Sequence, residues 1–192
     1  PDRRAPFQAV FAGRMAREKG VCVLLEAWRD AGFTAAPPTA LIMVGDGPIR
    51  ARAVAAGAVH AVGAATPAEL RNFYAGSDVV VVPSIPTRDF REPWGLVVNE
   101  AFDQGVPVIA TDAVGAAAGG LVQHERTGLV VPAGDPGALA AALRRLHGDA
   151  ALRERLGTAA REAVRAHSHA AWAEGMSAAL AAAAHERPVG RC

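Results

Sequence analysis

Short apolar runs alternate along this chain with stretches that carry apolar residues at helical spacing, and no other feature restricts its fold as much. A strand apolar throughout must be covered on both faces, and a connection long enough to hold a helix returns the chain parallel to the strand before it. The pattern therefore reads as α/β: a Rossmann-like parallel sheet of six strands with helices on both faces and an all-helical C-terminal end. The expected strands are Phe7 to Ala12, Ala40 to Val44, Val59 to Val62, Asp78 to Pro83, Val106 to Ala110 and Thr127 to Val131. Between the first two, Gly20 to Ala31 places Val21, Leu24, Leu25 and Trp28 on one helical face, and a short Arg-bearing helix later runs to Ala56. Thr66-Pro67-Ala68-Glu69 reads as an N-cap, a proline at the first helical position and a capping-box glutamate, opening a helix to about Gly76. Pro93 to Gly105 is the next expected helix. From Asp135 onward only helices are expected, over Pro136 to His147, Ala150 to His167 and Ala170 to Ala184, with Leu139, Leu143 and Leu146 as a core stripe. No internal repeat or linker divides the chain, so one domain over residues 1–192 is expected.

Composition narrows the partners. Twenty Lys and Arg against nineteen Asp and Glu leave a net charge of +1, which offers no electrostatic footprint for nucleic acid or an anionic membrane. The two cysteines, Cys22 and Cys192, form no CxxC and no Cys/His cluster, which fits a reducing, cytoplasmic setting and no structural metal. No run of about 18 apolar residues occurs. The start, Pro1-Asp2-Arg3-Arg4, lacks a methionine and a signal-peptide core and reads as that of an excised piece.

In an open parallel sheet, ligands sit outside the carboxyl ends of the strands where the strand order reverses, so the strand-end loops are the place to look for chemistry. After the first strand comes Gly13-Arg14-Met15-Ala16-Arg17-Glu18-Lys19-Gly20, two cations five positions apart between glycines. Glycine permits close backbone approach, a helix start offers free N–H groups, and Arg14 with Lys19 can hold a diphosphate by fork and point charge. The same spacing fits a solvated, salt-bridged loop equally well. No GxGxxG and no GxxxxGK[ST] occurs, so dinucleotide binding and Walker-type hydrolysis lose their main support.

After the fourth strand, Glu92 and Glu100 stand eight positions apart. If Pro93 opens a helix, Glu92 lies at its mouth and Glu100 returns to the same face about two turns later. One ligand then touches both, because a carboxylate accepts from the vicinal hydroxyls of a sugar or a ribose. The free N–H groups of Trp94, Gly95 and Leu96 would favour phosphate oxygens beside Glu92. The alternative is that Glu92 caps the helix and Glu100 is a surface residue.

In their order these residues resemble the retaining GT-B glycosyltransferases often grouped as family 4. GR-x4-KG matches Gly13 to Gly20, GDGP matches Gly45 to Pro48, and an aspartate-led strand ending in Pro-Ser matches Asp78 to Ser84. E-P-aromatic-G-L with the second glutamate of an E-x7-E pair matches Glu92 to Glu100. G-x-P-V-I-A-T and T-G-L-x-V-P-x-G-D-P match Gly105 to Thr111 and Thr127 to Pro136. The resemblance implies the C-terminal, donor-binding domain of that fold. It implies Gly13, Arg14 and Lys19 at the diphosphate, Glu92 with Pro93, Trp94, Gly95 and Leu96 at the sugar and its phosphates, Glu100 on the ribose, and backbone near Val62 and Gly63 on the base. Two departures stand out. The stretch Ala113 to Gly120 lacks the family's acid after a Gly-Gly pair, and residues 87–91 lengthen the loop before Glu92.

The activity so implied is transfer of a sugar, with retention, from a UDP- or GDP-sugar to an acceptor hydroxyl, by electrostatic stabilisation of the departing diphosphate and without a metal or other cofactor. Glu92 is then a stabiliser and not a covalent nucleophile. The acceptor site belongs in this family to a separate N-terminal domain, through which any membrane association would also come. The chain alone is expected to bind donor and transfer little sugar. The last helix, with Trp172 and Met176, is expected to pack either on that second domain or on its own. Two other readings remain: a standalone nucleotide-binding or regulatory module, and a nucleotide-sugar epimerase, for which His60 and His124 sit in no convincing motif.

Overall fold

The structure, a computed structural model, describes residues 3–33, 39–56 and 59–185, so that Pro1, Asp2 and Cys192 lie outside the described residues. Six strands, β1 Phe7–Ala12, β2 Thr39–Val44, β3 Val59–Gly63, β4 Val79–Val82, β5 Val108–Thr111 and β6 Gly128–Val131, form one sheet in the order β3-β2-β1-β4-β5-β6. Every neighbouring pair is parallel. The chain moves outward from β1 to β3, then returns to the centre and builds the other half from β4. The strand order therefore reverses between β1 and β4, and a crevice opens at their carboxyl ends.

Alternation along the central strands supplies two apolar layers. Phe7, Ala9 and Phe11 of β1, with Val79 and Val81 of β4, pack under helices α1 (Val21–Asp30) and α6 (Pro136–Gly148). Val10, Val80 and Val82 face the opposite layer, under α3 (Pro67–Ala75) and α4 (Val97–Asp103). Leu139, Leu143 and Leu146 are buried in the first layer, as their spacing predicts. The predicted capping box of α3 forms, with Thr66 Oγ1 accepting from Glu69 N and Glu69 Oε2 accepting from Thr66 N at 2.8 Å. Asp135 and Asp149 cap α6 and α7 (Ala150–Val164) by side chain alone, accepting from Ala138 N and Leu152 N.

Helix α7 closes the amino ends of the strands. It gives Leu152 and Leu156 to the first layer and Ala160 and Val164 to the second, so it crosses from one face to the other. On the way Arg153 pairs with Asp78 at 3.3 Å, just before β4, and Gly157 lies against the Gly105 carbonyl ahead of β5. The remaining helices are α2 (Arg50–Ala55), α5 (Gly115–Ala118) and α8 (His169–His185). None of the helices among the described residues is long and apolar enough to cross a membrane.

Strand and helix ends shift by one or two residues, as for β5, expected over Val106 to Ala110, and three larger departures bear on the site and the C-terminus. The helix drawn from Pro93 opens only at Val97. Glu92 and Trp94 give their backbone carbonyls to Gly115 N and Ala116 N, at 3.1 and 2.8 Å, and Gly95 takes φ 89, outside the helical region. A segment bonded to another part of the chain cannot begin an α-helix. The second difference is α5 itself, a single turn that no apolar period announces. The third is at the C-terminus: α7 ends at Val164, a 3-10 turn spans Arg165–His167, and α8 follows with Trp172, Met176 and Leu180 exposed. Of the two expected positions for the last helix, packing on its own domain is not adopted.

Candidate donor-binding crevice

The loop after β1 is held at both ends by backbone. Gly13 N donates to Val44 O at 2.9 Å, Met15 N to Asp46 O at 2.7 Å, and Ile49 N to Met15 O at 2.9 Å. The Gly45-Asp46-Gly47-Pro48 turn thus buttresses the segment that carries Arg14. At the far end Ile85 N donates to Glu18 O at 2.9 Å, and Gly20 takes φ 68 with its α-carbon so near β4 that a Cβ would lie 1.8 Å from the Pro83 carbonyl oxygen. Only glycine joins that conformation to that contact. Lys19 is thereby fixed beside the end of β4.

Its ammonium donates to Glu92 Oε2 at 2.5 Å and sits 5.0 Å from the centre of the Phe90 ring. Glu92 is 9% exposed, and Ser84 Oγ donates to the same Oε2 at 3.0 Å. Thr111 Oγ1 in turn donates to the Ser84 carbonyl at 2.5 Å, tying β5 to this corner. A largely buried carboxylate is tolerable here because it receives two donors, one of them charged. Arg14 is arranged differently. It pairs with Glu18 and its side chain is 65% exposed, so it stands at the rim. An exposed pair of this kind contributes roughly 0–1 kcal/mol and exchanges readily for a better anion.

Glu100, on α4, accepts from the Tyr74 hydroxyl at 2.8 Å. Trp94 Nε1 donates to Asn99 Oδ1 at 2.8 Å, which fixes the indole over the start of α4. Among the described residues no acceptor meets the backbone N–H groups of Gly95 and Leu96. No group of three or more His, Cys, Asp or Glu among the described residues is placed to hold a metal ion.

Gly13, Arg14, Lys19 and Glu92 line a single crevice of about 440 Å³ together with Pro93, Trp94, Gly95, Leu96 and Glu100. A volume of that order suits a small ligand or part of a larger one. The two glutamates do share one crevice, but an irregular turn brings them together where a helix was expected. Glu92 therefore does not cap α4, whose N-cap is Leu96. Val62 and Gly63 lie apart, at the carboxyl end of edge strand β3, and are not in the crevice wall; the Gly63 carbonyl accepts from Gly45 N at 2.6 Å. The sequence marks no individual role for Ser84, Thr111, Tyr74 or Phe90. Ser84 closes an apolar strand and Tyr74 occupies a core position of a helix, so spacing alone marks neither as polar machinery.

A family model described as "Glycosyl transferases group 1" matches residues 6–149, three quarters of the chain. This chain belongs to the group 1 glycosyltransferases. A lipopolysaccharide core biosynthesis glycosyltransferase, LpsD, of Rhizobium meliloti is 34% identical over 166 residues, covering 83% of this chain and 44% of the relative. Among solved structures, sucrose-phosphate synthase from Thermosynechococcus elongatus superposes with TM-score 0.75 at 32% identity, over 94% of this chain and 47% of the other. Anabaena Alr3699/HepE, solved in complex with UDP, superposes with TM-score 0.77 at 23% identity, over 92% of this chain and 49% of the other. The chain thus spans about half the length of each of these three proteins, and its fold is that of a C-terminal GT-B domain. The crevice walls from Gly13 to Glu100 fall inside the family match.

Proposed function

We propose that the crevice binds the nucleoside diphosphate of a UDP- or GDP-sugar. Together with an N-terminal acceptor domain the chain then transfers the sugar, with retention, to an acceptor hydroxyl. The observation that carries this reading is the convergence of Lys19, Arg14 and the Gly95-Leu96 backbone with two carboxylates at the point where strand order reverses. The cations and N–H groups suit a diphosphate, and the carboxylates suit hydroxyls. The UDP complex of the Anabaena relative supports the choice of ligand class.

An ammonium has three donors, and Glu92 takes one of those on Lys19. The others are free to meet the leaving diphosphate, where charge grows as the glycosidic bond breaks. Arg14 joins by leaving Glu18. A donor aimed at developing charge in a dry site lowers a barrier by roughly 3 kcal/mol, so this pair supplies the stabilisation without a metal. Glu92, bound to Lys19 and Ser84, accepts from sugar hydroxyls and keeps Lys19 in place; it is a stabiliser and not a nucleophile. Glu100 takes the ribose. The base passes toward Val62 and Gly63, beyond the crevice wall. The exposed stripe of α8 faces the second domain. The chain alone binds donor and transfers little sugar, and robust turnover by the purified chain would contradict that.

The test is calorimetry of the unmodified chain and an Arg14→Ala, Lys19→Ala double variant against UDP, GDP and ADP. Loss of two charge-assisted contacts is expected to weaken the preferred diphosphate at least about a hundredfold. Equal affinity in both proteins would remove the diphosphate from this loop.

A further inference from the structure

Glu100 is exposed at the rim of the crevice, and an exposed glutamate on a short helix ordinarily samples several rotamers. Here one of its oxygens is held. Tyr74 is 2% exposed, with its ring in the apolar layer under α3, and its hydroxyl donates to Glu100 Oε2 at 2.8 Å. Core packing, not side-chain freedom, sets where that phenol oxygen stands. The end of α3 is fixed as well, because the Tyr74 carbonyl accepts from Ser77 N at 2.9 Å and from Ser77 Oγ at 2.8 Å. For stability alone, a phenylalanine would fill the same space with no buried hydroxyl to satisfy. The neighbouring position, Phe73, shows that the layer accepts one. Burial first, and then the hydrogen bond and charge of Glu100, push the phenol far above its ordinary range, so it remains a donor at any working pH. With Oε2 engaged, Oε1 is the oxygen left for a ligand in the crevice.

We propose that Tyr74 is a positioning residue whose buried hydroxyl fixes the Glu100 carboxylate so that Oε1 meets the vicinal diol of the nucleotide ribose. The proposal rests on the donor-site reading above and assigns part of the site's preference for ribose to a residue that does not itself touch the ligand. Positioning of this kind has a signature. It strengthens binding only when the diol is present.

The experiment titrates the chain with UDP and GDP and with their 2′,3′-dideoxy forms, before and after Tyr74→Phe. The unmodified chain is expected to favour the ribose form by at least about tenfold, the worth of a good hydrogen bond to a carboxylate. In Tyr74→Phe that preference is expected to fall to about threefold or less, with affinity for the dideoxy form unchanged. Equal weakening of both forms would mean a merely structural role and would overturn the proposal. Tyr74 is the only tyrosine in the chain, so ¹³C-tyrosine labelling yields one Cζ resonance that reads its hydroxyl in the unmodified protein, whatever the variant's stability. That resonance is expected to shift with the ribose form and stay with the dideoxy form; a shift with neither, or the same shift with both, would overturn the proposal. If neither diphosphate binds, the donor-site reading falls and this proposal with it. If one binds and its ribose preference survives Tyr74→Phe, this proposal alone falls.

Discussion

Lys19 and Glu92 are separated by 73 positions in sequence and 2.5 Å in space, and much of the site's chemistry follows from that pairing. Motif order marks both residues, yet nothing in their spacing shows that they bind each other, because the contact depends on how β1 and β4 end side by side. The lengthened loop at residues 87–91 is similar. Its Phe90 ring lies against the Lys19 ammonium, so the loop is not simply a solvated excursion. Tyr74 was the least visible in sequence, since a buried aromatic at helical spacing is ordinarily core. Its phenol also makes a pH prediction. The folded pKa is raised above the ordinary 10.0, chiefly by burial, so the fold favours the protonated form. That contribution is complete below about pH 10 and declines as pH rises beyond it toward the folded value. Urea unfolding between about pH 8 and about pH 11 should therefore show the unmodified protein losing about 1.4 kcal/mol more than Tyr74→Phe does, most of it above pH 10. Parallel curves would contradict the assignment.

The elements divide into those that local chemistry announces and those that need the whole fold. The capping box at Thr66, the aspartate caps of α6 and α7, and the strands β1, β2 and β4 sit close to where apolar period and cap residues place them. The segment from Glu92 to Leu96 does not, because the Glu92 and Trp94 carbonyls are spoken for by α5. The all-alanine look of residues 116–118 therefore conceals a purpose: backbone N–H groups, not an acidic side chain, hold the turn that carries Glu92 and Trp94. Gly20 is the corresponding feature of the loop after β1. Gly20→Ala would place a methyl carbon against the Pro83 carbonyl and strain φ 68 as well. It is expected to cost at least about 2 kcal/mol, a melting-temperature loss of several degrees for a chain of this size. Because Lys19 precedes it, diphosphate affinity should fall too. A variant with unchanged melting temperature would show that the loop and β4 are less tightly joined than described.

Across the whole molecule the two ends of the sheet have separate tasks. Helix α7 closes the amino ends, where Asp78, Arg153 and Gly157 do structural work, and the carboxyl ends carry the crevice. Family motifs make the crevice residues legible in the chain, while Val62 and Gly63, proposed above for the base, lie outside the wall the structure draws. On α8 the stripe of Trp172, Met176 and Leu180 is uncovered, in a chain that spans 44% of the length of its Rhizobium relative. A crystal structure of the chain soaked with UDP or GDP decides whether one crevice holds a nucleoside diphosphate between Lys19 and Glu100. Diphosphate oxygens are expected within hydrogen-bond distance of Lys19 Nζ and the Gly95 or Leu96 N–H, with Arg14 turned away from Glu18 and the ribose hydroxyls on Glu100. Nucleotide bound elsewhere, or bound here with its ribose away from Glu100, would contradict the donor-site reading.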